Sequence, residues 1–128
     1  MSLDTLIETD LVNFRKEVLR CFKEQHPHIF AILEHVLTGH KNMVGMEILE
    51  NGNSAGQFTF LLDGIDVAEV KCGTLNSSLH HPLLGIIKPY VTIERSVIEA
   101  MLKDEQFKDD IFHTFSKYLP EITFKFLR

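Results

Sequence analysis

Seven histidines and two cysteines are the side chains in this 128-residue sequence best suited to hold a metal or attack an electrophile. His26 and His28 flank Pro27, and His80 and His81 are adjacent. Asp109 and His113 have the i, i+4 spacing that places two side chains on one helix face. Neutral imidazole with carboxylate is good zinc chemistry. There is no HExxH, however, and no histidine pair has cysteine partners at zinc-finger spacing. A metal site would have to be assembled from distant segments, with His80, His81 and His113 beside Asp109 as the candidate set. Loop and surface histidines are the plainer reading, and no cofactor is indicated.

The thiols and carboxylates read in the same plain way. Cys72 continues the face of Ala68 and Val70 on a predicted strand, while Lys71 points to the other side. A thiol needs a base or positive charge to become a nucleophile, so Cys72 is expected to be a buried structural thiol. Cys21 lies beside an apolar helix stripe and is read likewise. Two free thiols without CxxC spacing or a secretory leader fit a reducing compartment, and the cytoplasm is expected. Asp63 and Asp66 flank a turn and need no acid–base role. Gly52 and Gly56 precede no Lys-Ser/Thr, so no phosphate loop is indicated, and GxSxG is absent. No catalytic constellation emerges, and the chain reads as non-catalytic.

Composition points to apolar chemistry instead. The sequence has ten Phe, two Tyr and no Trp, with 45% hydrophobic and 24% charged residues. Phe adds apolar bulk without a polar handle, so these rings imply a large interior. Thirteen basic residues against eighteen acidic ones leave a net charge of −5. That argues against a nucleic-acid binder, which needs a basic surface, and against a polybasic membrane anchor. No stretch approaches the roughly 18 apolar residues of a membrane span.

These side chains must be positioned by elements of one domain, residues 1–128. Ile7, Leu11, Phe14, Val18 and Phe22 recur at helical spacing, with Asn13, Arg15, Lys16, Arg20 and Lys23 on the solvated face. Asp4 or Thr5 can cap this helix, and Pro27 follows its end near Gln25. A second helix runs from Pro27 towards Gly39. Its apolar residues cover more than half the circumference, so it is expected to be well buried. From Met43 the period becomes two, and strands follow around Val44–Leu49, Phe58–Leu62 and Ile65–Cys72. Asp63-Gly64 is read as a hairpin turn with two positive-φ positions. Residues 73–89 read as irregular. Tyr90–Glu94 is a strand, Ser96 caps a helix with Glu99 at capping-box spacing, and a further helix runs from about Phe107 to Tyr118. Ile122–Leu127 closes the chain as a fifth strand. The expected fold is α+β: a five-stranded, mainly antiparallel sheet with helices on one face, in the order ααβββ–loop–βααβ.

This order resembles the sterol carrier protein (type 2) family of small lipid-binding domains. The resemblance rests on FTFLLDGIDVAEVKC (Phe58 to Cys72), YVTIERSVIEAML (Tyr90 to Leu102) and the helix and strand from Phe107 to Phe126. The chain differs in having two N-terminal helices where the family has one long helix. It also ends after the fifth strand, where family members continue into a helix that covers the lipid tunnel. The extra N-terminal helix or a second copy of the chain would then take that place.

The resemblance implies an apolar cavity between sheet and helices. Its walls here would be Phe58, Phe60 and Leu62 on the second strand and Ile98, Met101 and Leu102 on the first C-terminal helix. Ile111, Phe112 and Phe115 would complete them. Such walls suit an acyl chain, a sterol-like ring system or an isoprenoid. Close packing is the rule in interiors, so the same residues also fit a filled core. The alternative function is then a homodimeric interaction module, with the last strand's edge and uncovered apolar surface meeting a second copy.

Overall fold

The computed structural model describes residues 2–81 and 83–127. A first helix, α1, runs without a break through Leu3–Thr5, Leu6–Leu11 and Val12–Gln25. Ser2, rather than Asp4 or Thr5, caps it: its hydroxyl accepts from the Thr5 N–H. The Leu6–Leu11 stretch is π-helical. An i→i+5 turn holds one residue more than an α turn. The helix therefore sends both Leu6 and Ile7 into the core, and its later residues are rephased against the sheet.

Helix α2, Pro27–Leu37, starts at its proline as expected, and Gly39 follows its end with φ +82°. The expectation that it is well buried is wrong. Phe30 alone is buried, while Ile29, Ile32, Leu33 and Val36 are exposed. Having apolar residues on most of the circumference did not mean that other elements were there to cover it.

Strands β1 (Lys41–Glu50), β2 (Asn53–Asp63) and β3 (Asp66–Cys72) form the expected antiparallel meander. Asn51-Gly52, both at positive φ, is the tight turn between β1 and β2, so both strands extend beyond the expected Val44–Leu49 and Phe58–Leu62. The next turn is centred on Gly64-Ile65, not Asp63-Gly64, and only Gly64 has positive φ. Residues 79–87 are not irregular. Leu79–His81 (β4) and Gly85–Ile87 (β5) pair as a small second sheet.

Strand β6, Pro89–Glu94, lies parallel to β1, and β7, Ile122–Phe126, pairs antiparallel with β6. The main sheet is therefore five-stranded and mostly antiparallel, in the order β3-β2-β1-β6-β7. Helix α3, Arg95–Leu102, begins at Glu94 without a side-chain cap. Ser96 caps nothing, and Glu99 lies 3.6 Å from the Arg95 guanidinium instead.

The expected helix from Phe107 is divided. Glu105–Lys108 is a 3-10 turn, and helix α4 is Ile111–Tyr118. Two side chains hold the break. Asp110 accepts from the His113 N–H, and the Gln25 amide donates to the carbonyls of Phe107 and Lys108 while accepting from the Ile111 N–H at 2.9 Å. Those bonds replace the helical ones that the break forgoes.

The sheet's two faces are used differently. Val44, Met46, Phe58 and Phe60 look towards α1, where Ile48, Ile93, Ile98, Met101, Phe107 and Ile111 complete the core. The crossover from β3 to β6 lies on the other face, over β1. The Thr59 hydroxyl, fully buried, donates to the Thr74 carbonyl and accepts from the Asn76 N–H. The Ser77 hydroxyl donates to the carbonyls of Met43 and Pro89. Gly45 permits this approach, since a Cβ there would meet Leu75 Cδ1 at 2.8 Å and the Asn76 carbonyl oxygen at 2.9 Å.

Candidate functional site

Two hollows flank α1. The first, about 390 Å³, lies between α1 and the sheet. Leu11, Val12 and Val18 of α1 face Val44 and Met46 of β1 and Phe60 and Leu62 of β2 across it. Val67, Phe107 and Phe115 close the sides, and among the described residues Arg15 is the single charged one in the wall. Its volume falls within the roughly 300–1,000 Å³ of small-molecule sites. Phe14 and Phe107, which could have filled the space, instead pack edge to face with ring centroids 5.2 Å apart.

On the opposite flank a wider cleft of about 640 Å³ runs between α1 and the segment 99–108. Phe14, Val18 and Phe107 border both spaces, so the Phe14–Phe107 pair is the partition between them. This second cleft is rimmed by charges, among them Asp10, Glu17, Glu99, Lys103 and Lys108. Most of these charges are already engaged. Glu17 pairs with Arg20 at 2.9 Å, and Lys108 with Glu105 at 2.9 Å. Asp104 accepts from the Tyr118 hydroxyl at 2.6 Å, from the Gln106 N–H and from Lys117. These bonds hold its carboxyl below the usual range, the tyrosine hydroxyl contributing most, and they push Tyr118 up to about 12. The wider cleft therefore offers a mostly paired charged rim, and the smaller hollow offers apolar walls.

Nine residues were expected to form one cavity, and the structure divides them. Phe60, Leu62 and Phe115 come together in the wall of the smaller hollow. Phe58, Ile98, Met101 and Ile111 are buried in the filled core beside it. Leu102 borders the wider cleft. Phe112 is exposed on its outer side and packs on Phe22 and His26, with centroids 5.4 and 4.5 Å away. The apolar stripe of α1 already carried Leu11, Phe14 and Val18. Arg15 was missed because it reads as part of the solvated face, whereas it is half-buried.

The candidate metal set is not assembled. Asp109 lies before α4 begins, so it does not share a helix face with His113, which is exposed. His80 faces the Asn42 side-chain oxygen at 2.8 Å and the ring of His40. The His81 Nδ1 accepts from the N–H groups of Leu83 and Leu84, which makes it a turn-forming residue. Among the described residues no three metal-ligating side chains converge. Cys21 is buried as expected, but Cys72 is exposed. Its thiol donates to Glu8 at 2.8 Å, and that bond pushes its pKa up to about 11.

A third feature is surface rather than cavity. Besides the exposed apolar residues of α2, Phe112 and Leu119 are exposed, as are Phe124 and Phe126 at 60% and 66% on the edge strand β7. Among the described residues no helix is long and apolar enough to cross a membrane. Comparison with known proteins returns no match, whether against models of protein families, curated proteins or solved structures.

Proposed function

We propose that this chain binds an apolar small molecule, a fatty acyl, sterol-like or isoprenoid compound, without catalysing a reaction on it. The observation that carries this reading is the apolar-walled hollow of about 390 Å³ between α1 and the sheet, where close packing would be the ordinary outcome. Binding there needs no covalent chemistry: a chain entering the hollow removes its own surface and the wall's from water. The resemblance of the element order to that of sterol carrier protein (type 2) domains is a further ground for this reading. A carrier of this kind would act in the cytoplasm. The test is displacement of a fluorescent fatty acid from the purified protein, with native mass spectrometry for stoichiometry. The reading expects one ligand per chain at micromolar lipid, and absence of binding removes it.

A second reading is favoured by the uncovered apolar side chains of α2 and β7. Both elements leave large apolar side chains exposed, the kind of surface that interaction sites use, and β7 leaves an open sheet edge that a second copy can meet. Sedimentation of the wild type and of Ile32→Glu separates the cases. A dimer that the substitution dissociates supports this reading, and a monomer at high concentration opposes it.

A further inference from the structure

We infer that the ligand of the hollow is a long-chain carboxylate, whose head group is held by Arg15 while its tail occupies the space between α1 and the sheet. The inference rests on the apolar-ligand reading above and adds the head group to it. Three observations carry it. Among the described residues that line the hollow, Arg15 is the single charged side chain. It is half-buried in α1. Among the described residues it makes no hydrogen bond and no ion pair within 4.0 Å, whereas Arg20 on the same helix has two carboxylate partners.

A guanidinium taken partly out of water without a partner is costly. Burial pulls the Arg15 pKa below its ordinary value, and among the described residues Asp66 is the carboxylate that acts against that shift. Asp66 is exposed at the start of β3, so it is hydrated and leaves the guanidinium's donors free. Arginine presents paired N–H donors that match a carboxylate. Apolar walls with one unsatisfied cation at their margin are complementary to an amphiphile with one negative charge. A neutral sterol or isoprenol would leave Arg15 unpaired. A doubly charged phosphate head would meet Asp66 and the net charge of −5 with only one cation to offset them.

The experiment compares dodecanoate, dodecanol and dodecyl phosphate as displacers of a fluorescent probe. The proteins are the wild type and the variants Arg15→Gln, Arg15→Lys and Asp66→Asn, each checked for native circular dichroism. A charge-assisted hydrogen bond at a half-exposed site is worth about ten-fold. The wild type should bind dodecanoate about ten-fold more tightly than dodecanol. Arg15→Gln should bring the two together by weakening dodecanoate alone, and Arg15→Lys should keep part of the preference. Asp66→Asn should tighten dodecanoate by about two- to three-fold, as expected for removing a nearby exposed charge. Equal binding of acid and alcohol by the wild type, unchanged in Arg15→Gln, overturns the inference and leaves the apolar-ligand reading standing. Tightest binding of dodecyl phosphate overturns the choice of carboxylate. Failure of all three to bind the wild type removes the underlying reading and the inference with it.

Discussion

Val44→Phe puts the hollow itself to the test. Val44 lies on β1 opposite Phe60, and both side chains border the space beneath α1. The ring adds about four carbons, and at about 0.8 kcal/mol per buried methylene the ceiling is about 3 kcal/mol. Val44 is only half-buried, and the unfolded chain already hides part of its apolar surface, so about 1 kcal/mol of net stabilisation is the reasonable expectation. For a domain of this size that is about 4 °C in Tm. In a packed site the same substitution would cost about 1–3 kcal/mol, because neighbouring side chains would be forced out of their rotamers. The sign therefore discriminates. Urea and thermal unfolding give the stability, and displacement of a fluorescent fatty acid gives the occupancy of the hollow. A neutral or stabilised variant that no longer binds lipid is expected. A variant destabilised by more than about 1 kcal/mol that still binds lipid refutes the placement of the site.

Other perturbations separate the core, the crossover and the thiol. Ile98→Ala should lose about 3 kcal/mol in urea unfolding and leave lipid selectivity unchanged, because Ile98 is fully buried away from the hollow. Thr59→Val removes the two hydrogen bonds that the Thr59 hydroxyl makes to the crossover, at a cost of about 1–3 kcal/mol, and hydrogen exchange should rise at Asn76. Cys72 should be a slow thiol, because its pKa of about 11 leaves little thiolate at neutral pH. Glu8→Gln removes the largest cause of the raised pKa and leaves burial and Asp4 in place, so the thiol should move back towards its ordinary value and alkylation at pH 8 should speed up. The lower intrinsic nucleophilicity of the more acidic thiol offsets part of the gain. An unchanged rate would remove the Glu8 contact from the account.

Much of the fold was legible because its signals are local. The helical spacing from Ile7 to Phe22, the alternation of Val44, Met46 and Ile48, and the Pro27 start each mark an element within a few residues. What failed depended on partners distant in sequence. The break before α4 is held by Gln25, more than 80 residues away, so Phe107 to Tyr118 alone reads as one helix. The exposure of α2 depends on which elements are there to cover it. The same limit applies to the candidate site. Residue type marked Phe60, Leu62 and Phe115 as apolar, but it could not separate them from Phe58 or Ile98, which face the same side and are enclosed. Arg15 read as solvated because only the sheet beneath α1 reveals what its side chain borders.

The account's central claim is that the space between α1 and the sheet takes an apolar chain, and a chain-length series tests it most directly. Saturated fatty acids of increasing length are titrated as displacers against the wild type and Val44→Phe. Each methylene buried in the hollow should tighten binding about 4-fold, corresponding to about 0.8 kcal/mol. The gain should stop at the length the hollow can hold, and it should stop at a shorter chain, or never begin, in Val44→Phe. Affinity that rises with length without a limit, equally in both proteins, would mean adsorption to the exposed apolar surface and would contradict the claim.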